Sequence, residues 1–243
     1  MRYAIYATPA AGSALEIAGS GWLGRSAYTD GSHMMPEVSH VAPDIMIALT
    51  KSPRRYGFHG TLRAPFHLAD GVGERDLIHA ASRFASDEAP VSLPGGLIIG
   101  DLRGFLALVP GGDPSDINLF AARSVEWFEA FRAPLSEADV ARRRASQLSP
   151  AQDALLLKWG YPYVFDEFSF HMTLTERVHD AETRAHIQKA AQVYFADALI
   201  ETRKISHIAV FKEFEPGGAF QILADFELTG HPVSIHPMSD VVG

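Results

Sequence analysis

Cysteine is absent from this 243-residue chain. Its absence excludes disulfide frameworks, thiolate nucleophiles and Cys-type zinc or iron–sulfur sites, leaving any chemistry to oxygen and nitrogen side chains. Long apolar runs are missing too. No segment approaches the roughly 18 uninterrupted apolar residues of a membrane span, and the opening Met1-Arg2-Tyr3-Ala4-Ile5-Tyr6-Ala7-Thr8-Pro9 is too short for a signal core. The expectation is a soluble, cytoplasmic protein with no membrane partner. Positive charge is scarce: 21 Lys and Arg against 29 Asp and Glu give −8, a field that repels polyanions and argues against long duplex nucleic acid. What is present is globular in composition, 47% hydrophobic and 21% charged, and long enough to bury a sizeable core.

Along the chain, Tyr3 to Ala7 reads as an opening strand and Ala11 to Leu23 as a helix. The turn-rich Gly31 to Pro43 reads as a mobile loop. Tyr56 to Arg63 is predicted as a short strand ended by Pro65, followed by a helix over Glu74 to Ala85. Leu97 to Val109 carries hairpin chemistry around Gly100-Asp101-Leu102-Arg103-Gly104, and Asp116 is placed to cap a helix running to about Phe131. Ala133 to Pro150 is a connector holding Arg142, Arg143 and Arg144, leading to a short helix that ends near Trp159-Gly160. Phe165 to Thr175 reads as a strand and Ala181 to Leu199 as an amphipathic helix. Lys204 to Phe211 and Phe220 to Leu228 form a closing hairpin through Glu215-Pro216-Gly217-Gly218. From His231 onward there is no periodicity. The order describes two similar α+β halves in one bilobal unit, 1–243, joined over roughly 110–150.

The strongest signal is a repeat. Tyr56-Gly57-Phe58-His59-Gly60-Thr61-Leu62-Arg63 aligns with Phe168-Ser169-Phe170-His171-Met172-Thr173-Leu174-Thr175, both reading Phe-His-x-Thr-Leu at 58–62 and 170–174. A period of two puts His59 with Thr61, and His171 with Thr173, on one face, while Phe58, Leu62, Phe170 and Leu174 include the positions that grip the core. Two such strands facing each other across a cleft bring two imidazoles and two hydroxyls around one small volume. A phosphodiester needs a base to activate an oxygen nucleophile and an acid to protonate the leaving oxygen, and imidazole does either near neutrality. Threonine hydroxyls hold the non-bridging oxygens. The scheme requires no metal and no cofactor. The scattered histidines, including His33, His40, His186, His231 and His236, show no metal-ligand spacing.

These residues resemble the 2H phosphoesterase superfamily, and the surroundings, Arg54-Arg55-Tyr56-Gly57-Phe58-His59-Gly60-Thr61-Leu62-Arg63-Ala64-Pro65-Phe66 and Trp159-Gly160-Tyr161-Pro162-Tyr163-Val164-Phe165-Asp166-Glu167-Phe168, resemble its DUF1045 branch, associated with bacterial phosphonate-utilisation operons. The resemblance implies an α+β bilobal fold, two pseudo-symmetric lobes of antiparallel sheet with helices flanking a central cleft. It implies His59, Thr61, His171 and Thr173 as catalytic residues, one histidine as base and the other as acid. It also implies a ribose cyclic phosphate as substrate, such as 5-phosphoribosyl 1,2-cyclic phosphate.

A phosphorylated sugar or nucleotide calls for fixed positive charge. Arg63 shares the face of His59 and Thr61 if its strand stays regular, Arg54 and Arg55 could line the mouth, and Arg177 has the matching place after the second motif. Trp159, Tyr161 and Tyr163 are placed either to stack on a base or ribose or to pack the lobe junction, Tyr56 is a nearby candidate with a polar tip, and His67 is read as structural. Arg142 to Arg144 have two readings, a substrate-closing segment or a plain surface helix face, and the surface face is the safer one. Two further functions compete: a 2′,3′-cyclic phosphodiesterase or 2′,5′-ligase-like enzyme acting on RNA ends, and a non-catalytic nucleotide- or phosphate-binding module.

Overall fold

The computed structural model describes residues 1–29, 31–200 and 202–230, so His231, His236 and the tail lie outside the described residues. Apolar stretches of period two build the sheet. β1 (Arg2–Thr8), β2 (Gly60–Phe66), β4 (Leu97–Leu102), β5 (Phe105–Pro110), β6 (Met172–Thr173), β8 (His207–Glu213) and β9 (Phe220–Glu227) form one sheet in the order β4-β5-β6-β2-β1-β8-β9. Every neighbouring pair in it is antiparallel. A second, two-stranded sheet pairs β3 (Val91–Ser92) with β7 (Lys204–Ile205). The amphipathic helices α4 (Glu74–Asp87) and α5 (Ser115–Trp127) bury Leu77, Phe84, Ile117 and Phe120; α4 packs on β8 and β9, and α5 on β2. The protein is thus an α+β fold of mainly antiparallel sheet with flanking helices.

The hairpins, the opening strand and α4 lie where the sequence predicts them, and α1 (Ala14–Leu23) starts at a Ser13 cap. Other expectations change. The first motif strand starts at Gly60 rather than Tyr56, because Lys51–Tyr56 is helical (α3). Pro65 does not end it: it falls in the irregular stretch between paired Arg63 and Phe66, where the ladder asks no N–H of it. The second motif strand shrinks to two residues, since Phe165–Glu167 takes a 3₁₀ turn with Phe165 at φ 54°. At α5, Asp113 rather than Asp116 receives the Ser115 N–H, at 3.0 Å, and the helix ends at Trp127. The basic connector contains a helix of its own, α6 (Glu137–Arg144), before α7 (Pro150–Trp159) and its left-handed Gly160 cap. The long closing helix divides at Phe195 into α8 (Ala181–Tyr194) and α9 (Ala196–Leu199). Lys204 to Phe211 divides between β7 and β8. From 31 to the start of α2 (Pro43–Leu49) there is no regular element beyond the Arg25–Ser32 bridge, yet Val38 and Val41 are buried, so the segment is packed.

The largest correction concerns the motif strands. They do not face each other across a cleft. They are neighbours in one sheet, paired at Gly60 and Met172, with the first hairpin (β4–β5) flanking the second motif. Phe58, Leu62, Phe170 and Leu174 are all buried, and the Trp22 indole N–H of α1 donates to the Leu174 carbonyl at 3.1 Å.

Candidate active site

Gly60 pairs with Met172, so one step along antiparallel strands sets His59 against Thr173 and Thr61 against His171. Met172 is buried, which leaves His59, Thr61, His171 and Thr173 together on the opposite face. Gly60 permits the crossing: a Cβ there would lie 2.5 Å from the Phe170 ring. A cavity of about 490 Å³ is lined by His59, Thr61 and Thr173 together with Tyr161, Arg143 and Arg177. A second, of about 350 Å³, is lined by His171 with Tyr163 and Phe168, and shares Thr61, Phe105 and Tyr161 with the first.

Each imidazole is fixed by a carbonyl two residues earlier. His59 Nδ1 is 2.9 Å from the Gly57 oxygen, and His171 Nδ1 is 2.8 Å from the Ser169 oxygen. A carbonyl only accepts, so Nδ1 carries hydrogen and Nε2 is the lone-pair nitrogen of each neutral ring. The Thr61 hydroxyl donates to His59 Nε2 at 3.1 Å. His59 also lies flat on Tyr6, ring centroids 3.6 Å apart. Burial pushes the His59 imidazole down to about 4; the Gly57 carbonyl opposes this and His171 adds to it. Burial lowers His171 as well, against the Ser169 carbonyl. Both rings are therefore set neutral near pH 7. Burial raises the Tyr6 and Tyr161 phenols, keeping them protonated donors.

The structure brings Tyr56 and Arg177 to the first cavity, Tyr163 to the second, and Tyr161 to both. Arg63 goes elsewhere. Tyr6 of β1 pairs with Thr61 and the adjacent Ile5 pairs with Arg63, so an irregularity between Thr61 and Arg63 turns the arginine to the other face. There it is buried, ion-paired with Glu129 and donating to the Val125 carbonyl at 3.3 Å. Arg55 is also diverted, to Glu213 at 2.5 Å and the Gly218 carbonyl at 3.0 Å. Burial alone would raise the Glu213 carboxyl; Arg2 and Arg55 override it and hold it at about 2. Arg54 donates to the Leu23 carbonyl and Thr50, and Trp159 packs on Phe165. Sequence reasoning missed Tyr6 and Phe105, and set Arg143 aside with its neighbours as surface. The first two arrive from neighbouring strands whose order the sequence does not display; Arg143 was visible only as one of three arginines. Among the described residues no group of three or more His, Asp or Glu is arranged to hold a metal, and no helix is long and apolar enough to cross a membrane.

Among solved structures, TT0787 of Thermus thermophilus aligns with a TM-score of 0.37 at 13% identity, covering 95% of this chain and all of that one; at that score the likeness says nothing about the fold. A ribose 1,5-bisphosphate phosphokinase PhnN from Janthinobacterium sp. (strain Marseille) is 37% identical over 222 residues, covering 90% of this chain and 49% of that protein. One of the same name from Laribacter hongkongensis (strain HLHK9) is 34% identical over 223 residues, covering 91% and 50%. The chain thus spans about half the length of the curated relatives it matches. The family described as "Protein of unknown function (DUF1045)" matches residues 61–221, a stretch that takes in Thr61, His171 and Thr173 and begins two residues after His59. The chain belongs to the DUF1045 family.

Proposed function

We propose that the protein is a metal-independent phosphodiesterase of the 2H type that opens a small cyclic phosphate ester, a ribose cyclic phosphate of phosphonate metabolism, by two-histidine acid–base catalysis. The observation that carries this reading is the shared face of His59, Thr61, His171 and Thr173 around the Gly60–Met172 pair, with neither Nε2 bound to a carbonyl among the described residues. One imidazole takes the proton of a water whose oxygen bonds to phosphorus. The other, when its Nε2 carries a proton, gives that proton to the sugar oxygen as its bond to phosphorus breaks, yielding a phosphomonoester and a free hydroxyl, and the proton taken from water by the first ring makes good the loss. Thr61 and Thr173 hold the non-bridging oxygens as charge builds. The relatives' printed name, with its phosphorylated ribose, supports the substrate class. Their kinase title finds no matching motif here, since the 243 residues contain no Gly-Lys pair and so no phosphate loop of the G-x-x-x-x-G-K type. The reading extends to architecture, with residues 1–243 as one bilobal unit whose arms meet at the motif pair.

The test is a turnover screen in chelator with ribose 1,2-cyclic phosphates, 2′,3′-cyclic nucleotides and short 2′,5′-linked oligonucleotides, run beside His59→Ala and His171→Ala. Turnover of the ribose cyclic phosphate that both substitutions abolish is the expected result. Turnover confined to oligonucleotides moves the function to RNA ends; tight binding with no turnover moves it to a binding module.

A further inference from the structure

The three consecutive arginines of α6 have different fates. Arg142 pairs with Asp139 at 2.6 Å, and Arg144 grips both oxygens of Asp153 at 2.6 and 2.8 Å. Arg143 between them has no carboxylate partner among the described residues. It is half-buried, its guanidinium lies 4.9 Å from the centre of the Tyr161 ring, and it lines the cavity that holds His59, Thr61 and Thr173. Arg177 lines the same cavity and likewise forms no ion pair among the described residues. Of the other charged groups, Arg2 is bound to Glu213 at 2.6 Å, a carboxylate it shares with Arg55, and Glu176 lines the cavity as a carboxylate that accepts only the neutral Ser52 N–H, at 2.9 Å.

Arg143 and Arg177 against Glu176 leave one positive charge, and Arg2 and Arg55 against the single Glu213 carboxylate leave another, so positive charge in and beside this cavity exceeds what a bare cyclic diester neutralises. Such a diester carries one negative charge, and the threonine hydroxyls already serve it. Two guanidiniums without carboxylates remain beside the reaction centre, one of them held in place by an aromatic face. Guanidinium forks pair with phosphate oxygens through parallel hydrogen bonds, and a partly desolvated cation gains most from such an anion. A 490 Å³ cavity has room for a sugar bearing groups at both ends.

We propose that Arg143 and Arg177 form a second anion subsite, which takes a phosphomonoester carried by the same small sugar whose cyclic diester lies on the two-histidine centre. The proposal rests on the phosphodiesterase reading above for its choice of substrate. α6 buries none of its own residues, so its placement over Tyr161 serves to deliver Arg143.

The experiment compares kcat/KM for ribose 1,2-cyclic phosphate with and without a 5-phosphate. The wild type should prefer the doubly phosphorylated probe by at least about 30-fold. Arg143→Gln and Arg177→Gln should each cut that preference about tenfold, equivalent to about 1.4 kcal/mol. Tyr161→Phe, which keeps the ring under Arg143, should retain the preference, and Tyr161→Ala should lower it. An unchanged preference in both arginine variants overturns the subsite while leaving the two-histidine reading intact. If the wild type cleaves neither probe, that reading fails by itself, and equilibrium binding of ribose 1,5-bisphosphate against ribose 1-phosphate decides the subsite. A tenfold loss of the bisphosphate's advantage in Arg143→Gln supports it, and equal affinities for the two sugars in the wild type overturn it.

Discussion

His59 and His171 occupy copies of one motif, and the two copies agree in one respect and differ in another. Both rings donate from Nδ1 to the carbonyl two residues back, a contact set entirely by local sequence. Beyond that, His59 lies flat on Tyr6 with its Nε2 on Thr61, whereas His171 meets the edge of Phe105 at 5.6 Å and forms no hydrogen bond to Thr173 among the described residues. The repeat therefore fixes tautomer and direction. The neighbours that set each ring's environment come from β1 and β5. Equal motifs give equivalent nitrogen atoms in unequal surroundings.

The largest test of this comparison removes each ring in turn. His59→Ala and His171→Ala should each lower kcat by about 10²- to 10⁴-fold with melting temperature little changed, the range expected for a positioned acid or base. If one variant keeps near-wild-type turnover, the two rings do not share the reaction. Next is the carbonyl that orients His59. Gly57 has φ 77°, and a Cβ there would lie 2.6 Å from the Ala27 Cβ. Gly57→Ala should destabilise the fold by about 1–3 kcal/mol in a denaturant titration, through left-handed strain and overpacking. Ser169→Ala keeps its backbone carbonyl and should be nearly neutral; equal losses at both positions would show that the two orienting carbonyls are equally constrained.

The motif pair was legible because Phe-His-x-Thr-Leu occurs twice, and its apolar positions are buried as alternation requires. Arg63 was misplaced because alternation assumes an unbroken pleat and β2 breaks it one residue after Thr61. The second strand was overextended because the three phenylalanines of Phe165 to Phe170 pass for a strand while the chain turns through a 3₁₀ segment. Arg143 could not be told from Arg142 and Arg144, since what separates them is the position of Asp139 and Asp153. Local pattern therefore located the paired motifs, and tertiary contacts chose the side chains that surround them.

Smaller effects sharpen the contrast. Thr61→Val removes the hydroxyl on His59 Nε2 and should cost about tenfold in kcat/KM, as should Thr173→Val, if both hold phosphate oxygens. Only Thr61→Val should shift the His59 titration. The smallest signal is the titration itself. Burial lowers the His59 pKa below that of an unfolded histidine, so between about pH 6.5 and about 4 the unfolded chain binds the extra proton and stability falls as pH falls. Proton NMR should place the His59 midpoint near 4, and His59→Gln should flatten the stability profile in that window. A midpoint near 6.5 would remove the assigned effect of burial.

The antiparallel crossing at Gly60 and Met172 has a consequence for regiochemistry. A half-turn about that pair carries His59 onto His171 and Thr61 onto Thr173, so the four groups present the same pattern to a cyclic ester and to the same ester turned end for end. On the proposed phosphodiesterase reading, the centre alone cannot decide which of two sugar oxygens leaves the phosphorus. On that reading the decision falls to the unlike walls, with Arg2, Arg143 and Arg177 lining the cavity of His59 and Arg103 the one arginine lining that of His171 among the described residues. Exchange of wall residues, with both motifs untouched, should therefore redirect which product isomer forms.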